Sequence, residues 1–354
     1  MSFFEGAHHI TIRRGTQIAA ASGSTVNYHQ ATKHANEKRM IYSRLSASQT
    51  DRRTLLTTFA SVHTQLWSLS RLSAAAAHTA LHNSAARPDA PRCHRNTRAA
   101  YRDNVEQWTL GSGNDYDGER LIWLRGGAGV GKSAIMQSVI EQCAQHAVVL
   151  GSFFFFRSDS SRNYAEVLIP TLAYQLARSF PAALAILEPI ISRDPLIFKA
   201  SLRTQAHELL VRPILYLFEN GIIDIDDPRR RVFFIDGLDE CNDPQKHALI
   251  INIVASILCD YHVPISFLIA SRPELAISSA FQRETRLYPT FASISLDDST
   301  DAESDIRQFV EDSFLDIVDS HPWRNISNCL GPTPDQSIIW RTCHRDILSM
   351  PQQR

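Results

Sequence analysis

The run Gly126-Gly127-Ala128-Gly129-Val130-Gly131-Lys132-Ser133 follows directly on the apolar stretch Leu121 to Leu124. It leads straight into a segment with Ile135, Met136, Val139, Ile140 and Cys143 at helical spacing. A GxxxxGK[ST] pattern between a strand and a helix demands a tight turn whose backbone N–H groups converge on phosphate oxygens, with the positive end of the helix dipole behind them. Lys132 then reaches the β- and γ-phosphates, and Ser133 is placed to ligate Mg²⁺. With 14 glycines and five lysines among 354 residues, chance placement of the pattern is on the order of one in a thousand.

The rest of the central chain fits the fold that such a loop needs. Short apolar runs at Leu121–Leu124, Val148–Phe156, Val232–Ile235, Ile265–Ala270 and Ser293–Leu296 alternate with helix-periodic segments at 133–145, 165–180, 205–218, 244–260 and 301–318. Strands alternating with helices predict a parallel sheet covered on both faces. A phosphate-bound magnesium wants a carboxylate at the carboxyl end of a neighbouring strand, and Val232-Phe233-Phe234-Ile235-Asp236 supplies Asp236. The continuation Gly237-Leu238-Asp239-Glu240 adds two acids, either of which could orient or deprotonate an attacking water, or simply be solvated. Ser271-Arg272-Pro273 ends another strand, so that Arg272 could read a γ-phosphate. Arg157 and Arg162 fall on the same edge, where a solvated role is favoured, and Arg229-Arg230-Arg231 falls on the opposite edge and reads as solvated.

Composition narrows what surrounds this core. The apolar fraction of 44% can close a hydrophobic interior, and the length suggests about two domains. The net charge of −1 hides an asymmetry, for residues 1–100 hold 13 Lys/Arg against 4 Asp/Glu and the remainder 23 against 33. Arg39, Arg44, Arg52, Arg53 and Arg71 lack interleaved aromatics, so a solvated helix face is favoured over a nucleic-acid or membrane contact. Residues 1–30 show short alternating stretches at 9–12 and 25–28. From 31 to 92 the composition turns helical, with Leu55, Leu56, Ala60, Val62, Leu66, Leu69, Leu72 and Ala76 on one face, and Arg87-Pro88-Asp89-Ala90-Pro91 marks a boundary. No signal peptide opens the sequence, and no apolar run approaches the roughly 20 residues that a membrane span needs. Six cysteines without CxxC spacing predict neither a zinc ribbon nor a disulfide framework, and the pairing of Cys329 with Cys343-His344 reads as incidental. A reducing, cytoplasmic setting follows.

Several of these features together resemble a NACHT-type STAND nucleotide-binding domain, in the nephrocystin-like form abundant in mushroom-forming fungi. They are Cys93-His94-x-x-Thr97-Arg98, Ile122-Trp123-Leu124 running into the glycine loop (Walker A), Ser152-Phe153-Phe154-Phe155 with Arg157-Ser158-Asp159, and Leu172-Ala173-Tyr174-Gln175-Leu176. Asp236 to Glu240 (Walker B), Ala270-Ser271-Arg272-Pro273-Glu274, Asp305-Ile306 and Phe309 complete them. The resemblance covers roughly 93–318 and places the nucleotide-binding domain at 93–320. It implies an α/β P-loop NTPase of three layers, with a parallel sheet of the additional-strand type, behind a mostly helical N-terminal region. It further implies that Gly126 to Ser133 hold the phosphates of ATP or ADP, that Ser133 and Asp236 hold Mg²⁺, that Asp239 and Glu240 act on water, and that Arg272 senses the γ-phosphate. The implied activity is an ATP/ADP-gated switch with slow hydrolysis, in signalling or self/non-self recognition. An adaptor that binds nucleotide without turnover and a metabolic P-loop kinase are the alternatives, and homo-oligomerisation and the downstream partner stay open. The family pattern continues into a winged-helix module, whereas residues 321–354 read as an irregular tail, so the sequence is expected to be truncated after the NACHT domain.

Overall fold

The computed structural model describes residues 17–19, 25–27, 67–95, 97–113, 116–297, 305 and 307–314. The sequence readings at 9–12, most of the helix face before Leu69, Arg39, Arg44, Arg52, Arg53, Cys329, Cys343, His344 and the segment 321–354 lie outside the described residues. Internal contacts divide the chain into two units, 1–71 and 72–354. In the first, β1 (Gln17–Ala19) pairs antiparallel with β2 (Thr25–Asn27).

The second unit is built on five strands: β3 (Leu121–Arg125), β4 (Val149–Phe154), β5 (Val232–Asp236), β6 (Ser266–Ser271) and β7 (Phe291–Ser295). Their order is β4-β5-β6-β3-β7, and every pair is parallel. All residues of β5 and β6 are buried, which is why these stretches read as continuous apolar runs rather than alternating ones. Strand β6 separates the strand of the glycine loop from the strand of Asp236, as the additional-strand arrangement requires.

Helices cover both faces. On one, Val105 and Trp108 of α1 (Ala99–Leu110) and Ile135, Val139 and Ile140 of α2 (Lys132–Cys143) pack on Ile122, Leu124, Phe154, Val232, Phe234 and Leu268. On the other, Ile235 and Phe267 meet Leu172 of α3 (Leu168–Ser179) and apolar residues of the later helices. Of the later helices, α5 (Leu202–Ala206), the π turn at His207–Val211 and α7 (Pro244–Ala255) with its own π turn at Ser256–Asp260 supply those residues, while α4 (Leu184–Arg193) and α6 (Arg212–Glu219), into which the first π turn runs, pack on each other. Trp123 stacks at 4.5 Å on Phe281 of α8 (Leu275–Arg283).

Two details depart from the sequence reading. Arg230 and Arg231 are not solvated: Arg230 Nε–H donates to the Trp108 carbonyl (2.8 Å), and Arg231 pairs with Asp227 (2.8 Å). The loop before β5 folds back on α1, and a carbonyl and a carboxylate take the place of water. The second departure is at 76–93. This segment lies across the sheet unit, with Ala77 N–H donating to Thr171 Oγ1 (2.8 Å), His82 N–H to Ser152 Oγ (3.1 Å) and Cys93 N–H to Ser138 Oγ (3.0 Å). The proline-rich stretch is therefore part of the unit that begins at Leu72.

Candidate nucleotide-binding site

Parallel strands in register end together: Leu124 pairs with Ala270, and Phe154 with Asp236. The loops that follow them meet at one edge of the sheet, where open α/β sheets place their ligands. A cleft of about 460 Å³ opens there, walled by Lys132, Ser133, Asp236, Asp239, Glu240 and Arg272. Three separate strands deliver these six side chains.

Gly131 caps α2 at φ 96°, a left-handed conformation that a side chain would strain. Its neighbours Ala128 and Gly129 border the cleft. Gly126, Gly127 and Val130 form the underside of the loop, where a Cβ on Gly126 would stand 2.8 Å from Val130 Cγ2. Gly127 N–H donates to Asp297 Oδ1 (2.8 Å), just beyond the end of β7. The Lys132 ammonium donates to the carbonyls of Gly126 (2.7 Å) and Gly127 (2.6 Å). Burial draws its pKa below the usual lysine value, against the opposing pull of Asp239 and Asp236.

Asp236 is buried, only 4% exposed. Burial pushes its carboxyl up to about 6, while a hydrogen bond from Ser133 and the charge of Arg87 act in the other direction. Its Oδ1 meets no hydrogen-bond donor. A buried carboxylate oxygen without a partner, beside a hydroxyl, is a donor set that fits a hard cation. Mg²⁺ commonly takes one or two protein oxygens and completes its octahedron with water and phosphate. Among the described residues no cluster of three His, Cys, Asp or Glu side chains could hold a metal without such help.

The two acids after Asp236 have different surroundings. Asp239 is 3% exposed, and both its oxygens are engaged by one residue, since Arg272 N–H donates to Oδ1 (2.9 Å) and Arg272 Nε–H to Oδ2 (2.6 Å). Glu240 is partly open, and its Oε2 accepts from Arg157 N–H (3.0 Å). The Arg157 Nη2–H donates to the Asp239 carbonyl (2.9 Å). Arg157 thus shapes the acidic turn, while Arg162, read from sequence as solvated, is instead buried and held away by Asp159 (2.9 Å) and the Thr79 carbonyl (3.1 Å), because the segment 76–93 covers it. Gly237 starts the turn at φ 67°, where a Cβ would come within 3.2 Å of the Phe155 carbonyl. Arg272 borders the cleft while it clasps Asp239, and its Nη2 lies 3.8 Å from Glu274.

Of the residues expected from sequence, Ala128, Gly129, Gly131, Lys132, Ser133, Asp236, Asp239, Glu240 and Arg272 border one cleft, while Gly126, Gly127 and Val130 lie beneath it. Two residues that the sequence reading does not assign to the site, Asp297 and Arg87, act on it from outside the cleft lining. Asp297 directly follows the apolar run Ser293–Leu296, so the same strand-end argument that found Asp236 could have found it. Arg87 carried no signal, because its placement depends on how 76–93 folds back.

Residues 100–272 match the family model described as Nephrocystin 3, N-terminal. The nephrocystin-like stretch runs from the start of α1 to the arginine that clasps Asp239, so it takes in the glycine loop, Asp236 and the acidic turn and leaves out Arg87 and Asp297. The match is consistent with a NACHT-related region. No curated protein matches the chain.

Proposed function

We propose that this chain binds Mg·ATP and ADP in the cleft at the carboxyl edge of the sheet and works as a slow, NACHT-type nucleotide switch in the cytoplasm. The fungal signalling or self/non-self role is the one the resemblance implies. The observation that carries the reading is the convergence of Lys132, Ser133, Asp236, Glu240 and Arg272 from three strand ends on one cleft. The loop N–H groups and Lys132 would bind the β- and γ-phosphates, with the α2 dipole behind them. Magnesium, when bound, would neutralise phosphate charge between Ser133 and Asp236. Glu240, the acid with an oxygen to spare, would orient water. Arg272 would offer its Nη groups to the γ-phosphate while its Nε holds Asp239.

Equilibrium titration of the full chain with ATP and ADP, with and without Mg²⁺, tests this. Binding that is magnesium-assisted and weakened on the order of tenfold or more in Lys132→Ala is expected. Equal affinity in wild type and Lys132→Ala would overturn the assignment. Hydrolysis separates the switch from an adaptor: binding without any turnover would favour the latter, to which the engagement of both Asp239 oxygens already lends weight.

A further inference from the structure

The segment 76–93 runs against β4, α2 and α3 as a strap and sets one half-buried cation at the end of β4. The Arg87 guanidinium carbon lies 3.7 Å from the centre of the Phe154 ring. Its Nη1–H donates to Gln137 Oε1 (3.1 Å) and to the Leu81 carbonyl (3.3 Å). Phe154 is the register partner of Asp236, and register partners on neighbouring strands project to the same face. The cation therefore stands beside the buried carboxylate whose Oδ1 has no donor.

The seat is built from several sides. Gln137, fully buried on α2 one turn beyond Ser133, also donates to the His82 carbonyl (2.9 Å) and to Glu141 (2.6 Å). Arg92 in turn holds Glu141 with Nε and Nη2 (2.8 Å each). Burial lowers Arg87 to about 10, with Arg162 acting the same way and Asp236 opposing. Seating a guanidinium at such a desolvation cost makes sense where it answers a charge, and Arg87 Nε and Nη2 make no hydrogen bond with a described residue. Pro91 of the same strap walls the cleft.

We propose that Arg87 is a positioning residue for Asp236, a resident counter-cation that a divalent metal works against when it enters. This rests on the reading of Asp236 as a magnesium ligand given above. Two cations beside one carboxylate disfavour each other, and such coupling is reciprocal. Metal at Asp236 loosens the seat of Arg87, and loss of the Arg87 charge tightens metal binding. The strap thereby reports whether the site is filled.

The test uses the full chain at pH 8 with Mn²⁺ as the probe, its free concentration read by electron paramagnetic resonance, without nucleotide and with ADP. Arg87→Met keeps length and packing but removes the charge, and Arg87→Lys keeps the charge. The expected result is Mn²⁺ affinity about fivefold or more higher in Arg87→Met, with Arg87→Lys near wild type. An unchanged affinity in a folded Arg87→Met, or an equal rise in Arg87→Lys, overturns the proposal. Should Arg87→Met not fold, hydrogen exchange of residues 77–93 in wild type decides. Faster exchange on adding Mn²⁺ supports the coupling, and exchange that is unchanged or slowed overturns it. A chain that binds Mn²⁺ but no ADP defeats the nucleotide reading and leaves the Arg87 result standing on the nucleotide-free arm.

Discussion

Asp239 and Glu240 are adjacent in sequence and differ sharply in what surrounds them. Burial and a two-point clasp hold Asp239 to Arg272, while Glu240 keeps an edge on the cleft. Glu240→Gln is therefore expected to leave nucleotide binding nearly intact and to slow single-turnover hydrolysis on the order of 10²-fold. Quench-flow with radiolabelled ATP measures both quantities, and wild-type turnover in the variant would remove Glu240 from the chemistry. Asp239→Asn is expected to act on the fold instead. An amide can accept from the Arg272 N–H but leaves the guanidinium without its charged partner, a loss of about 1–3 kcal/mol given that Arg272 is partly exposed. Chemical denaturation checks this, and a variant as stable as wild type would show the clasp to be incidental.

The turn between α6 and β5 has a separate electrostatic anchor. Hydrogen bonds from Arg229, with those from Arg231 and the backbone, hold the Asp227 carboxyl below its ordinary range. A carboxylate whose folded pKa is depressed contributes stability above its unfolded value near 3.8, and that contribution disappears as pH falls through the lower folded value. Asp227→Asn should thus unfold more easily than wild type at pH 7, by about 1–2 kcal/mol, and the gap should close toward pH 2. Paired urea titrations across that range test the sign. A gap that widens in acid would mean the carboxyl is not what holds the turn. At this scale the sequence was most legible where periodicity was strong: all five strands of the sheet and α2, α3, α6 and α7 stand where alternation of apolar runs predicts them. The helices α1, α4 and α8 escaped notice for physical reasons. Ala99–Leu110 buries only Val105, Trp108 and Thr109, Leu184–Arg193 carries Pro189 inside it, and Leu275–Arg283 begins with Leu275 exposed.

Across the molecule, Lys132, Ser133, Asp236, Asp239, Glu240 and Arg272 share one cleft because parallel strands must end on one edge. Motif logic could reach them without coordinates. Asp297, just past the end of β7, was within reach of the same strand-end logic, although its hydrogen bond from Gly127 N–H was not. Arg87 depends on tertiary placement, on a strap folding back against Phe154, 67 residues further along the chain. The prolines at 88 and 91 suggested a break, and breaks in periodicity do not say whether the extended chain leaves or lies down. Here it lies down, with three backbone N–H groups satisfied by side chains of α2, α3 and β4. A chain beginning at Leu72 should accordingly keep the cooperative unfolding of the sheet unit. One beginning at Cys93 should lose stability, with a melting temperature lower by roughly 2–8 °C if the strap contributes about 1–2 kcal/mol. Differential scanning fluorimetry of the two forms compares them, and equal melting would show the strap to be a passenger.

Strand β6 has one more effect. By standing between β3 and β5 it keeps the strand that feeds the glycine loop and the strand that carries Asp236 two spacings apart, about 9.6 Å. Ser133 reaches Asp236 across that gap. A cation seated between the two would therefore tie together strands that share no backbone hydrogen bond. It would act as a cross-brace over β6, and the two sides of the sheet edge would stiffen together when it enters.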